Sequence, residues 1–174
     1  MSGNRRFDDE AERMHPSRIA RMFGRIAPTY DLLNHLLSAD TDRRWRRKAV
    51  SLLGLRGAER VLDVCTGTGD LALALQAGGA GEVEACDFAP AMIERAREKG
   101  GARVHFRVAD ATHLPYPDAG YDIVTVAFGV RNFHDLDRGL EELRRVLRPG
   151  GRLLVLEFTR PPNRLVRGVY AVSY

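Results

Sequence analysis

From residue 57 to residue 158 the chain alternates short apolar runs with segments of helical periodicity, and no other feature restricts the fold as much. Residues 60–65 (RVLDVC), 82–87 (EVEACD), 103–110, 121–128 (YDIVTVAF) and 152–158 (RLLVLEF) read as strands. Residues 70–76, 90–99 and 135–147 read as helices, the last with Leu136, Leu140, Leu143 and Leu147 as its apolar stripe and Pro149-Gly150-Gly151 as its stop. Parallel neighbours need a crossover, and a crossover helix buries one face of the sheet. Strands alternating with helices therefore imply βαβ units. The expected fold is α/β: a Rossmann-like, doubly wound, mostly parallel sheet, five of whose strands lie in this chain.

Ahead of that region the texture is helical. Met22, Phe23 and Ile26, and then Leu32, Leu33, Leu36 and Leu37, repeat at helical spacing, with Pro28 breaking between them. A further helix over 42–53 carries Trp45, Ala49, Leu52 and Leu53 on one side and stops at Gly54. The expected organisation is a polar tail over 1–15, an N-terminal helical cap over 16–56 and a ligand-binding domain over 57–174. Apolar residues make up 44% of the 174, enough for a real core, and the net charge of +4 is too small to argue for nucleic acid. No apolar stretch nears the ~20 residues that span a bilayer. Asp8, Asp9, Glu10 and Glu12 speak against a leader peptide. Cys65 and Cys86 have no zinc spacing and read as small core residues of a reduced, cytoplasmic protein, with no metal site expected.

The most informative stretch is Val61-Leu62-Asp63-Val64-Cys65-Thr66-Gly67-Thr68-Gly69-Asp70-Leu71-Ala72. It runs strand, glycine turn, helix, the arrangement that seats a ligand at the carboxyl ends of strands. Gly67, Gly69 and Ala72 also fit a dinucleotide fingerprint, with Asp87 twenty positions beyond Gly67 as the ribose acid. Asp63 decides between hydride transfer and methyl transfer. A carboxylate at the first strand end repels a pyrophosphate and suits a ligand that presents an ammonium group. S-adenosylmethionine has that ammonium, a ribose diol and no phosphate, and Asp70 makes phosphate less welcome still. The plainer reading of Asp63 is a carboxylate satisfied by loop N–H groups.

Asp87 ends the second strand and can accept both ribose hydroxyls, while Phe88 can lie against adenine. Its plainer role is to cap the helix that begins at Pro90. Asp110, beside Ala111, ends the third strand, where a carboxylate can accept from the adenine amino group; alone it would be a loop Asp. Together with Thr68 in the loop, three carboxylates at three successive strand ends weigh more than any one of them.

At this point the chain resembles the class I S-adenosylmethionine-dependent methyltransferases, and more narrowly the C-methyltransferases of ubiquinone and menaquinone biosynthesis. The resemblance rests on Tyr30-Asp31-Leu32-Leu33-Asn34 with Ser38 and Trp45, on Phe128-Gly129-Val130-Arg131-Asn132, and on Arg145-Val146-Leu147-Arg148-Pro149-Gly150-Gly151-Arg152 continuing through Leu156-Glu157-Phe158-Thr159. It implies methyl transfer from S-adenosylmethionine to a ring carbon of a demethylmenaquinol or related polyprenyl hydroquinone. Arg131 and Asn132, past the fourth strand, are then candidates for gripping the quinol oxygens. Tyr30 would close over the site, and His35 is a candidate base beside His134 and Asp31. For Arg131 the plainer reading is a surface pair with Asp135 or Asp137.

The chain departs from the family at Cys65 (usually Gly or Ala), Asp42 (usually His), Thr159 (usually Ser) and Ala127 (often Ser). The last two strands of the family's seven would lie beyond Tyr174. The alternatives are a methyltransferase of another small molecule or lipid, a nicotinamide-dependent dehydrogenase, and an inactive fragment that only binds the cofactor. The implied partners are a polyprenyl quinol and a membrane surface, with no nucleic acid and a monomeric or homodimeric state. The run Arg43-Arg44-Trp45-Arg46-Arg47-Lys48 has the composition of a surface-seeking helix, but the plainer and preferred reading is a solvated face with Trp45 turned into the core. The implied location is the cytoplasm, including the inner face of the membrane.

Overall fold

A computed structural model describes residues 41–100 and 103–157. The expectations for Tyr30, Asp31, His35, Thr159, the polar tail and the first cap helices lie outside these residues. The described elements are helix α1 (Thr41–Leu53), strand β1 (Arg60–Val64), α2 (Asp70–Ala77), β2 (Glu82–Asp87), α3 (Pro90–Glu98), β3 (Val104–Val108), β4 (Tyr121–Ala127), a 3₁₀ turn (Val130–Asn132), α4 (Leu136–Val146) and β5 (Leu147–Leu156). The five strands form one parallel sheet in the order β3-β2-β1-β4-β5. The chain winds outward from β1 through β2 to β3, then returns to the other side of β1 for β4 and β5. The crevice between β1 and β4 is therefore the topological switch point, where ligands of open α/β sheets bind.

Strand alternation divides the core into two layers. Leu62, Val64, Cys86, Val124 and Val126 point to one face, covered by Leu143 and Val146 of α4 together with Leu114, Tyr116 and Tyr121. Val61, Val83, Ala85 and Ile123 point to the other, covered by Leu71 and Leu75 of α2 and by Val50 and Leu53 of α1. Asp63 and Thr125 stand two positions beyond Val61 and Ile123, on the same face, and they are register partners across β1 and β4. This side-by-side placement positions the site.

Three sequence expectations change. β5 begins at Leu147, not at residue 152, because Leu147 pairs with Tyr121 before the register jumps to Ile123↔Arg152. The Pro149-Gly150-Gly151 stretch is thus a bulge inside the strand, with Gly150 at φ 76 taking the left-handed turn. α4 buries Gly139, Glu142, Leu143 and Val146, whereas Leu136 and Leu140 are 47% and 40% exposed. Gly139 admits the Phe133 ring, since a Cβ there would lie 2.3 Å from Phe133 Cδ2. α1 buries Asp42, Ala49, Val50 and Leu53, leaving Trp45 38% and Leu52 68% exposed. Trp45 is therefore not turned into the core. Among the described residues no helix is long and apolar enough to cross a membrane.

Candidate active site

The carboxyl ends of β1, β2 and β4 converge on the loop from Thr66 to Gly69. Gly67 (φ 56) and Gly69 (φ 85) adopt left-handed backbone, with Gly69 as the N-cap of α2. A Cβ on Gly67 would meet nothing within 4 Å, so the constraint there is dihedral and the loop is open above it. Asp87 holds this loop: its Oδ2 accepts from the Gly67 N–H at 2.9 Å and its Oδ1 from the Ala89 N–H at 2.9 Å. It thereby ties β2 to the glycine loop and to the turn before α3, but it does not cap that helix as its plainer sequence reading had it: Ala89 is the N-cap, and no side chain bonds the first-turn amides of α3. Burial pushes the Asp87 carboxyl upward, against the Gly67 and Ala89 amides.

Asp63 is buried, with Oδ1 accepting from the Thr125 hydroxyl and Oδ2 from the Thr66 hydroxyl, each at 2.6 Å. Hydroxyls satisfy it, where loop N–H groups were the expected plain alternative. Burial dominates its titration and raises the carboxyl to about 6, while the two hydroxyls and the Arg46 charge act in the opposite direction. A carboxylate uncomfortable in this way gains from any cation brought to it.

Asp70 does not add to the repulsion of phosphate as expected. Lys99 Nζ lies 2.6 Å from its Oδ1 and Arg46 lies 3.4 Å from its Oδ2, so its charge is already met. Lys99 also donates to the Thr68 hydroxyl at 2.8 Å, and Thr68 is buried. That leaves Asp63, near the end of β1, as the carboxylate placed to disfavour a phosphate.

Asp110 closes an Asx turn, its Oδ1 accepting from Thr112 N–H and Oγ1 at 2.9 Å each, beside buried Ala111. His134 Nδ1 stands 4.0 Å from Asp110 Oδ2, so this histidine flanks the acid. Phe88 is half-buried beside Asp87.

On the β4 side, Arg131 and half-buried Asn132 lie in the 3₁₀ turn. Arg131 pairs with Glu157 Oε1 at 2.6 Å, and with neither Asp135 nor Asp137, and its guanidinium stands 6.0 Å from the Phe128 ring centroid. Asp135 instead caps α4 by accepting from the Arg138 N–H at 3.0 Å. Sequence reading did not single out Glu157 as a site residue. Its signals were its place at the carboxyl end of a strand and within the Leu156–Thr159 run that carries the family resemblance.

Cys65 (φ 57) and Phe128 (φ 55) hold left-handed backbone without being glycine, at the ends of β1 and β4. Such residues cost roughly 1–3 kcal/mol each and gather at functional sites. Glycine, one of the two residues usual at position 65 in the resembled family, takes this φ without strain. Cys65 and Cys86 are both free thiols, and burial raises both.

The donor set fits S-adenosylmethionine: carboxylates at three strand ends, an open glycine loop, and no basic side chain bonded to Asp63 or Asp87 in the contacts described above. Asp63 would face the ammonium, Asp87 the ribose diol and Asp110 the adenine edge. Residues 11–174 match the ubiE/COQ5 methyltransferase family. The chain belongs to that family. It is 54% identical over 157 residues to the demethylmenaquinone methyltransferase of Thermus thermophilus, covering 88% of this chain and 71% of that protein. It is 48% identical over 160 residues to the enzyme of the same name from Deinococcus radiodurans, covering 90% and 66%. A ubiquinone/menaquinone biosynthesis C-methyltransferase of a Geobacter species is 47% identical over 160 residues, covering 88% and 68%. Among solved structures, YcgJ of Bacillus subtilis superposes with a TM-score of 0.65 at 30% identity, over 71% of this chain and 54% of that one. A SAM-dependent methyltransferase of Aquifex aeolicus gives 0.61 at 28%, over 68% and 66%. This member of the ubiE/COQ5 family therefore spans about two thirds of its curated relatives. It is an S-adenosylmethionine-dependent methyltransferase of Rossmann-like fold.

Proposed function

We propose that the chain methylates a ring carbon of a demethylmenaquinol or related polyprenyl hydroquinone, with S-adenosylmethionine as donor. The observation that carries this reading is the pairing of an acidic cofactor crevice with a cationic guanidinium on its β4 rim. When bound, S-adenosylmethionine supplies a methyl group activated by the neighbouring sulfonium charge. Asp87 and Asp63 orient the donor through its diol and ammonium, and Phe88 and Ala111 border the adenine. Positioning matters because the ring carbon must come within about 3–3.5 Å of the methyl group.

A hydroquinone carbon becomes a good nucleophile as the neighbouring oxygen loses its proton. Arg131 stabilises that phenolate as a cation and hydrogen-bond donor; it cannot take the proton, because guanidinium stays protonated. Asn132 is placed beside it for the second oxygen. Glu157 fixes the direction of the Arg131 fork. Tyr30 and His35 remain the candidates for the lid and the base. The long tail keeps the substrate in a bilayer, so the enzyme works from the cytoplasm against the inner face of the membrane, as a monomer or homodimer.

The test is transfer of labelled methyl from S-adenosylmethionine to a short-tailed demethylmenaquinol, with the product located by mass spectrometry. Ring C-methylation is expected. O-methylation alone, or no transfer with the cofactor bound, counts against the reading. Calorimetry should show S-adenosylmethionine binding in the micromolar range and no binding of NAD. Asp87→Ala should weaken the cofactor by about 1–3 kcal/mol, the cost of buried hydrogen bonds to a charged group.

A further inference from the structure

Helix α1 carries five cations within six positions, Arg43 to Lys48, and they divide by direction. Arg46 turns inward, where it pairs with Asp42 and Asp70. Arg43, Arg44, Arg47 and Lys48 are exposed. At 100° per residue they fill one continuous arc, and its apolar border is formed by Leu52 and Trp45, 68% and 38% exposed. Asp42 is the one acid on the helix, and it is buried beside Arg46. A cleft of about 400 Å³ lined by Arg43, Arg46, Arg47, Asp70 and Ala74 opens beside it. Trp45 lies 6.2 Å from Phe128, ring centroid to ring centroid, and the Phe128 ring lies under the Arg131 guanidinium. The basic arc, its apolar border and the β4 rim of the active site thus adjoin one another.

We propose that the outer face of α1 docks on the anionic surface of a lipid bilayer. The cations meet headgroup phosphates, while Trp45 and Leu52 settle at the boundary between headgroups and acyl chains. The purpose of the contact rests on the quinol reading above: it brings the Arg131 rim to the bilayer that holds the substrate's tail. The binding itself rests on charge and exposure alone, so the two can fail separately.

Trp45 is the sole tryptophan, which makes its emission a direct reporter of this face. The full chain is mixed with phosphatidylcholine vesicles with and without phosphatidylglycerol, at low and high salt, and with brominated acyl chains. The expected result is co-sedimentation only with phosphatidylglycerol, released by salt, with a blue shift and bromine quenching of Trp45. Joint replacement Arg43→Gln, Arg44→Gln, Arg47→Gln and Lys48→Gln should weaken vesicle partitioning on the order of a hundredfold or more. S-adenosylmethionine binding, by calorimetry, should be unchanged and certifies the fold of the variant. Equal binding to both vesicle types, equal binding by the variant, or unquenched Trp45 would overturn the proposal. So would retention on RNA without vesicle binding, which would assign the arc to nucleic acid. Methylation of a water-soluble short-tailed quinol should persist in the variant; its absence in the unmodified chain would instead refute the quinol reading.

Discussion

Asp63 is the residue proposed to meet the donor's ammonium, and its burial makes pH the probe. Its carboxyl, raised to about 6, is charged at neutral pH and in the proposed site would attract the cationic donor; below that value it protonates and the attraction would go. S-adenosylmethionine affinity, by titration calorimetry, should therefore fall as pH drops through about 6, and this step should vanish in Asp63→Asn. The linkage to stability has the opposite sign. A carboxyl whose folded value exceeds its unfolded one binds protons preferentially in the folded state. The ligand-free protein should gain stability from this group between about pH 6 and pH 4, and thermal melts of Asp63→Asn should lack that gain. A second residue-scale contact joins Cys65 to Gly129, where a Cβ would lie 2.4 Å from Cys65 Cβ. Gly129 has φ −105, which alanine accepts, so the penalty is steric alone. Gly129→Ala should destabilise by about 1–3 kcal/mol in a denaturant melt. The same change in a Cys65→Gly background should cost far less, because the clashing atom is gone.

Among the elements, α4 shows how little a leucine stripe says about direction. The 136, 140, 143, 147 spacing announces a helix correctly, yet only Leu143 of the first three is buried. Inward-facing Glu142 accepts from the Leu114 N–H at 2.8 Å and meets Arg145, and this rotates the helix about its axis. Leu143→Ala should cost about 2–5 kcal/mol, while Leu136→Ala and Leu140→Ala should each cost well under half of that. Urea melts of the three variants read the difference. α1 behaves alike: its buried side includes Asp42 and Arg46, which a search for apolar periodicity passes over.

For the molecule as a whole, a polar network joins helices that are distant in sequence. Arg46 of α1 meets buried Asp42 and Asp70 of α2, and Lys99, just after α3, meets Asp70 and Thr68. Arg46→Gln takes a charged partner from buried Asp42 and from Asp70, and should destabilise by about 1–3 kcal/mol, read in thermal and denaturant melts. Lys99→Gln, at a site about a quarter exposed, should cost less. Strand rhythm, glycine positions and the three strand-end carboxylates were all readable in the chain, since period and turn chemistry are local. Local signals do not say which strand lies beside which, or how far a helix rotates. The pairing of Asp63 with Thr125, sixty-two residues away, the inward turn of Glu142, the outward placement of Trp45 and the link from Arg131 to Glu157 were settled only by packing. In each case the side chain's environment is made by residues from other elements, whose approach depends on the closing of the whole sheet.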